Sequence, residues 1–166
     1  MGNFDNAIEI VKDRARYAHG VWTMPNVMVV EDNVDFRETL CGALQKRLPD
    51  ISLSEIGNGR RALEMAGKLS PDVILMDIVL PFMNGLEVTR NLKNASNNPW
   101  IIILTGNDLP EYMEASQTAG ADYFLSKNCI RLSEITNLVQ DILTCPQGLS
   151  PKWDKFRIAG HFTPQA

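Results

Sequence analysis

The sequence of 166 residues predicts an α/β fold with a doubly wound parallel sheet. From about residue 26 to residue 144, short apolar runs alternate with segments whose apolar residues recur every three or four positions. Most of the runs are apolar throughout, which is typical of strands that helices cover on both faces. Five strand–helix units are therefore expected to form one parallel sheet between two layers of helices.

The strands are predicted from the apolar runs. One segment, 51–56, alternates polar and apolar residues, which favours an edge strand with one wetter face. An edge position for the second strand fits the strand order 2-1-3-4-5. The remaining predicted strands are 27–30, 72–77, 100–104 and 123–125.

The helices are predicted from apolar spacing and from turn residues. Asn58-Gly59 precedes the second helix, and Asn84-Gly85 opens the third. Before the fourth helix, Asp108 and Glu111 have capping-box spacing, with a proline in the first turn. Gly120 is expected to end that helix as a left-handed cap. The helical patterns cover 34–48, 62–69, 86–92, about 110–119 and 132–143.

The chain is expected to have three parts. Residues 1–24 form an N-terminal extension with an amphipathic helix over 4–18, which either packs on its own domain or binds a partner or a second copy. Residues 25–145 form the α/β domain. Residues 146–166 form a tail that contains Pro and Gly and is too short for a DNA-binding output domain.

Composition excludes several classes of function. The net charge of −4 and the lack of a basic cluster argue against direct nucleic-acid binding. No apolar stretch approaches the roughly 20 residues of a membrane helix. The three cysteines lack metal-ligand spacing and are interpreted as reduced thiols, so a cytoplasmic location is expected.

Polar residues follow the predicted strands and meet at one edge of the sheet. Glu31 and Asp32 follow the first strand, Asp77 ends the third, Thr105 follows the fourth, and Lys127 follows the fifth. Each feature alone has an ordinary structural explanation, such as a capping acid or a surface lysine. Together at strand carboxyl ends they indicate a binding site.

The chemistry of this site is predicted from its charges. Three close carboxylates repel one another unless a cation joins them, and hard oxygen ligands suit Mg²⁺ or Mn²⁺. Asp32 and Asp77 are expected to bind the ion directly, with the backbone carbonyl of Val79, and Glu31 through water. Lys127 and the hydroxyl of Thr105 would then contact a phosphoryl group. Asp77 is the candidate nucleophile, because a carboxylate can form an acyl phosphate.

Several motifs in the sequence match a known family. They are Glu31-Asp32, Leu75-Met-Asp77 with the following residues to Gly85, Leu104-Thr105-Gly106, and Gly120 to Lys127. Over 26–144 the chain resembles the receiver domain of two-component response regulators, which have a flavodoxin-like (βα)₅ fold.

The resemblance implies a role for each residue of the site. Asp77 would be the phospho-acceptor, Asp32 and Glu31 would hold Mg²⁺, and Lys127 would bind the phosphate. Thr105 and Phe124 would be the switch residues. The sequence departs from the family at Asn128, where a proline, often with a cis bond, is usual. A trans bond and a more mobile loop are expected there.

The implied function is phosphorelay signalling. Asp77 would take a phosphoryl group from a sensor histidine kinase or a histidine phosphotransfer protein. The surface of the fourth helix, fifth strand and fifth helix would then change and bind a downstream protein or a second copy. Such a domain catalyses only its own phosphorylation and dephosphorylation.

Two alternatives remain open. The chain could be a degenerate receiver that acts as a phosphorylation-independent scaffold. It could also be an aspartyl-phosphate phosphatase, although Val79 stands where dehalogenase-type phosphatases have a second Asp.

Overall fold

The computed structural model describes residues 16–18, 21–107 and 109–144. Its main sheet has five parallel strands: β1 Asn26–Val30, β2 Ser52–Ile56, β3 Val73–Met76, β4 Trp100–Thr105 and β5 Tyr123–Ser126. The strand order is β2-β1-β3-β4-β5, as the sequence predicts. β2 lies at one edge and is the most exposed strand of the sheet, which explains its alternating sequence.

Five helices in the described residues connect and cover the strands. They are α1 Val34–Arg47, α2 Gly59–Leu69, α3 Gly85–Lys93, α4 Pro110–Thr118 and α5 Leu132–Thr144. Side chains of Asn33, Asn58 and Asn84 cap the first three by accepting a hydrogen bond from a first-turn amide. Gly120 has a φ of 90°, so the left-handed position after α4 is confirmed.

The core has one layer on each face of the sheet. On one face, Val29, Leu75 and Ile102 pack with α1 and α5. On the other face, Met28, Ile74 and the rest of the second layer pack with α2, α3 and α4. Neighbouring residues of each strand therefore point to opposite layers, and both faces are covered. This confirms the doubly wound fold.

Two local predictions are wrong. Pro110 takes the first helical position of α4, so the cap is Leu109, whose hydrocarbon side chain cannot accept a hydrogen bond. The predicted capping box, Asp108 with Glu111, placed the cap one residue earlier. At the N-terminus, Arg16–Ala18 pairs with Val21–Thr23 as an antiparallel hairpin, so these residues are not part of the helix predicted over 4–18.

The hairpin has a clear sequence reason. Val21-Trp22-Thr23 consists of residues that favour strands, and it is paired in register so that Tyr17 lies opposite Trp22. Helical spacing over the preceding residues could not reveal this pairing, since it depends on a partner strand. The rest of the predicted helix and the tail 146–166 lie outside the described residues, and the three-part division of the chain stays a prediction. None of the described helices is long and apolar enough to cross a membrane.

Candidate functional site

The carboxyl ends of four strands place the predicted site residues together. Backbone hydrogen bonds extend the sheet by one residue at three of these ends. The amide of Glu31 donates to Ile56 (2.9 Å), that of Asp77 to Val30 (2.9 Å), and that of Lys127 to Thr105 (2.8 Å). The first residue beyond each of these strands is therefore held by the same kind of hydrogen bond as the strand itself.

Lys127 joins two of the predicted acids. Its Nζ lies 2.5 Å from Oε2 of Glu31 and 2.6 Å from Oδ2 of Asp77. The same ammonium lies 4.8 Å from the centre of the Phe36 ring. Burial acts to lower the pKa of Lys127, but the hydrogen bonds to Asp77 and Glu31 outweigh it and raise this pKa. Lys127 is thus a fixed positive charge at the site.

The three acids form a cluster suited to a cation. One carboxylate oxygen from each of Glu31, Asp32 and Asp77 lies within 4.8 Å of the others. Glu31 and Asp77 are buried, whereas Asp32 is exposed. Burial raises the pKa of Glu31 and the charge of Asp77 raises it further, while the bond to Lys127 opposes both. A divalent ion with oxygen ligands fits this donor set, since it would relieve the repulsion.

Val79 lies beside the acids, and its amide donates to Oδ1 of Asp77 at 3.3 Å. The residue is 61% exposed. Its carbonyl as a metal ligand stays a prediction.

A close backbone approach fixes the loop after Asp77. The amide of Gly85 donates to the carbonyl of Ile78 at 2.9 Å, and a Cβ atom at Gly85 would overlap the carbonyl oxygen of Asp77. Only glycine therefore allows α3 to begin against the end of β3. This explains in physical terms why the motif that follows Asp77 ends in glycine.

Thr105 is buried at the end of β4, on the far side of Asp77 from β1. Its hydroxyl accepts a hydrogen bond from the amide of Asn107 at 3.2 Å. Phe124 is 3% exposed and packs in the core layer between the sheet and the helices α2, α3 and α4. Both predicted switch residues are thus inside the domain, Thr105 at the last position of β4 and Phe124 within β5. Their roles as switches stay predictions.

Asn128 adds a connection that sequence reasoning missed. The Lys127–Asn128 peptide is trans. The Asn128 side chain donates to the carbonyl of Gly106 at 2.8 Å, so it ties the loop after β5 to the loop after β4. The expected mobile loop therefore has an anchor. The sequence signal was an amide side chain in place of proline, next to the lysine.

Two further residues, Phe36 and Arg37, were also missed. Phe36 contacts the ammonium of Lys127, and Arg37 donates to the carbonyl oxygen of Glu31 at 2.5 Å. Both lie in the first turns of α1. Because the Asn33 cap starts that helix directly after the acidic pair, residues of its first turns point back to the pair.

Comparisons with known proteins agree with this arrangement. The family model for the response regulator receiver domain matches residues 27–140. Chemotaxis protein CheY of Halobacterium salinarum is 31% identical over 118 residues, which cover 71% of this chain and 96% of that protein. Transcriptional regulatory protein YdfI of Bacillus subtilis is 32% identical over 102 residues, and the match covers 61% of this chain. The chain spans only 48% of the length of YdfI.

Solved structures show the same similarity. CheY4 of Vibrio cholerae superposes with a TM-score of 0.65 at 27% identity, covering 72% of this chain and 99% of that one. The signal receiver domain of NarL from Mycobacterium tuberculosis has a TM-score of 0.67 at 27% identity, covering 72% and 96%. Receiver domains of this kind are signalling domains. The family match and these relatives together show that the chain belongs to the response regulator receiver domain family.

Proposed function

We propose that this chain is a phospho-accepting signalling module in which Asp77 receives a phosphoryl group. The observation that carries the proposal is the meeting of Lys127 with Glu31 and Asp77, with Asp32 beside them. A single carboxylate held between a lysine and two further acids suits a reaction that depends on placement and charge neutralisation.

The donor we propose is a phosphohistidine of a sensor kinase or of a histidine phosphotransfer protein. A carboxylate oxygen of Asp77 forms the new P–O bond while the P–N bond of the donor breaks. The bonding electrons stay on the ring nitrogen that carried the phosphoryl group. Because the other ring nitrogen of the phosphohistidine carries a proton, the imidazole leaves as a neutral ring. The Val79 amide holds Oδ1 of Asp77 in place, so the attacking group has a defined orientation.

The residues of the acidic cluster fit Mg²⁺ or Mn²⁺. Glu31, Asp32 and Asp77 would hold the ion, with the backbone carbonyl of Val79 as a further ligand. When bound, the ion supplies charge neutralisation on the phosphoryl oxygens. Lys127 contributes the second positive charge, and it can move from the Asp77 carboxylate to the phosphoryl group.

The output we propose is a change of the surface formed by α4, β5 and α5. The Thr105 hydroxyl would turn toward a phosphoryl oxygen and give up its bond to the Asn107 amide. Phe124, packed against the same layer, would adjust with it. A downstream protein or a second copy of the chain would bind the changed surface. We expect this to take place in the cytoplasm.

The test is intact-protein mass after incubation with Mg²⁺ and phosphoramidate, a small donor with a P–N bond. We expect one phosphoryl group on the wild type and on Asp141→Asn, which changes an exposed carboxylate of α5. We expect none on Asp77→Asn and none when EDTA removes the metal. An unmodified wild type would support the scaffold alternative instead.

The output is tested separately by NMR with Mg²⁺ and beryllofluoride, which mimics the phosphoryl group. We expect amide shifts in α4, β5 and α5, and smaller shifts in Thr105→Ala. Shifts confined to the loops around Asp77 would contradict the proposed output surface without contradicting phosphorylation.

A further inference from the structure

Arg37 contacts the backbone of the acidic pair. Its Nη1 donates to the carbonyl oxygen of Glu31 at 2.5 Å, and its Nε lies 3.5 Å from Oε2 of Glu55 on β2. The Arg37 side chain is 16% exposed, whereas that of Glu55 is 47% exposed. The amide of Arg37 donates to the carbonyl of Asn33, so the helix cap fixes its position.

The position of the Glu31 carbonyl connects Arg37 to the acidic cluster. It belongs to the peptide group that joins Glu31 to Asp32, and these two residues are neighbouring members of the acidic cluster. The amide of Glu31 is already fixed by its bond to Ile56. Arg37 fixes the other end of this residue, so the plane of the Glu31–Asp32 peptide is defined.

Of the two acidic residues, Asp32 depends more on this arrangement for the direction of its side chain. Lys127 and the amide of Asn33 hold the side chain of Glu31 directly. The Asp32 side chain is exposed, and its direction therefore depends on the peptide that carries it.

We propose that Arg37 is a positioning residue for the divalent-cation site, acting through the Glu31–Asp32 peptide. This inference rests on the proposed function, because it needs a cation at the acidic cluster. Arg37 contacts neither the cation nor the phosphoryl group. It holds the acidic pair in the geometry that the ion needs, as residues that contact metal ligands commonly do.

The direction in which cation affinity changes when Arg37 is replaced distinguishes a positioning role from a purely electrostatic one. Arg37 is a positive charge close to three carboxylates. By charge alone, its removal would make the cluster more negative and would tighten cation binding. If Arg37 positions the acidic pair, its removal weakens cation binding. The two explanations therefore predict opposite changes in the same dissociation constant.

The experiment measures Mn²⁺ binding by electron paramagnetic resonance for the full chain. We expect Arg37→Met to raise the dissociation constant about tenfold, the lower end of what the loss of a contact to a metal ligand costs. Arg37→Lys, which keeps the charge and one donor, should fall between Arg37→Met and the wild type. Arg131→Met removes the same charge from a side chain that is 82% exposed, and we expect no weakening.

Further variants exclude a general structural effect. Glu55→Gln removes the ion pair on β2 but leaves the bond to Glu31, and we expect cation binding within about twofold of the wild type, because such an exposed pair contributes little. Urea unfolding of every variant reports stability independently of cation binding. If Arg37→Met does not fold, Arg37→Lys carries the test.

The outcomes distinguish a failure of the positioning role of Arg37 from a failure of the proposed function. Equal or tighter Mn²⁺ binding by Arg37→Met and Arg37→Lys, with normal binding by the wild type, overturns the positioning role alone. A wild type that binds no Mn²⁺ contradicts the proposed function, and the inference with it. Weaker binding by both Arg37 variants, together with unchanged Arg131→Met, supports the inference.

Discussion

Lys127 carries the electrostatic balance of the site. It is 17% exposed at the side chain and pairs with two buried carboxylates. Replacing it with Met leaves Glu31 and Asp77 facing each other without a cation, a loss that costs about 3 kcal/mol for a buried pair. We expect Lys127→Met to lower the free energy of unfolding in EDTA by about this amount.

Mg²⁺ should restore much of that loss, because it replaces the missing charge. Urea unfolding with and without Mg²⁺ measures both effects. The control is Lys68→Met, which removes an equal charge from the exposed side of α2. Equal free energies of unfolding for the two variants, with and without Mg²⁺, would show that the Lys127 ion pairs do not stabilise the protein.

The cysteines differ in their chemistry. Burial, together with the nearby Glu55 carboxylate, raises the pKa of Cys41 to about 12, although the charge of Arg37 opposes the change. Cys129 is exposed. We expect iodoacetamide at pH 8 to modify Cys129 quickly and to leave Cys41 unmodified in the folded protein, since the thiolate is the reactive form. Peptide mapping separates both from Cys145, which lies outside the described residues.

The raised pKa of Cys41 makes the stability of the folded protein depend on pH. The neutral Cys41 thiol is favoured in the folded state, so its contribution is complete below its ordinary pKa of 9.0. It is lost as the pH rises toward 12. Labelling of Cys41 at the rate of Cys129 at pH 8 would mean that the α1 side of the core opens readily.

At the scale of elements, the start of α3 depends on Gly85. An added Cβ would overlap the Asp77 carbonyl, which is backbone and cannot move aside cheaply. We expect Gly85→Ala to lower the free energy of unfolding by about 2 kcal/mol or more and to shift the NMR signals around Asp77.

Gly67 in α2 is the matched control. A Cβ there meets nothing within 4 Å, and alanine favours a helix interior by about 1 kcal/mol over glycine. Gly67→Ala should therefore stabilise the protein. If both substitutions change stability in the same direction, the close approach of Gly85 to the Asp77 carbonyl does not limit the β3–α3 turn.

The loops after β4 and β5 are connected by Asn128. Replacing it with Ala removes the hydrogen bond to Gly106, a loss of about 1 kcal/mol, and frees the segment next to Thr105. We expect faster hydrogen exchange at the Asn107 amide, which bonds the Thr105 hydroxyl.

Asn91→Ala removes a similar exposed bond, from Nδ2 to the Glu87 carbonyl in α3, and serves as the control. Its effect on Asn107 should be absent. Unchanged exchange at Asn107 in Asn128→Ala would show that the two loops are not coupled through this side chain.

At the scale of the whole molecule, the fold follows from the alternation of apolar runs and helical spacing. Buried strands such as Val73–Met76 are apolar throughout, and the edge strand alternates, so burial on each face is encoded directly in the sequence. Strand order then follows, because right-handed crossovers leave few alternatives. The structure confirms the strand order and the edge position of the alternating strand.

The site was predicted to the extent that it depends on strand ends. The predicted site residues lie at or just beyond the strand ends, so the parallel sheet brings them to one edge. They are Glu31, Asp32, Asp77, Thr105 and Lys127. The contacts of Phe36, Arg37 and Asn128 were not predicted, because they depend on side-chain directions in loops and first helical turns. The N-terminal hairpin was missed for a related reason, since pairing between strands is not visible in helical spacing.

Asp77 itself is expected to carry the acyl phosphate. Borohydride reduces an aspartyl phosphate to homoserine, so the phosphorylated residue can be located by peptide mass. The tryptic peptide 69–90 contains both Asp72 and Asp77. After treatment with Mg²⁺, phosphoramidate and borohydride, we predict homoserine at position 77 and an unchanged Asp72, and an unchanged peptide when EDTA is present. Homoserine at another aspartate, or none in the wild-type chain, would contradict phosphorylation of Asp77.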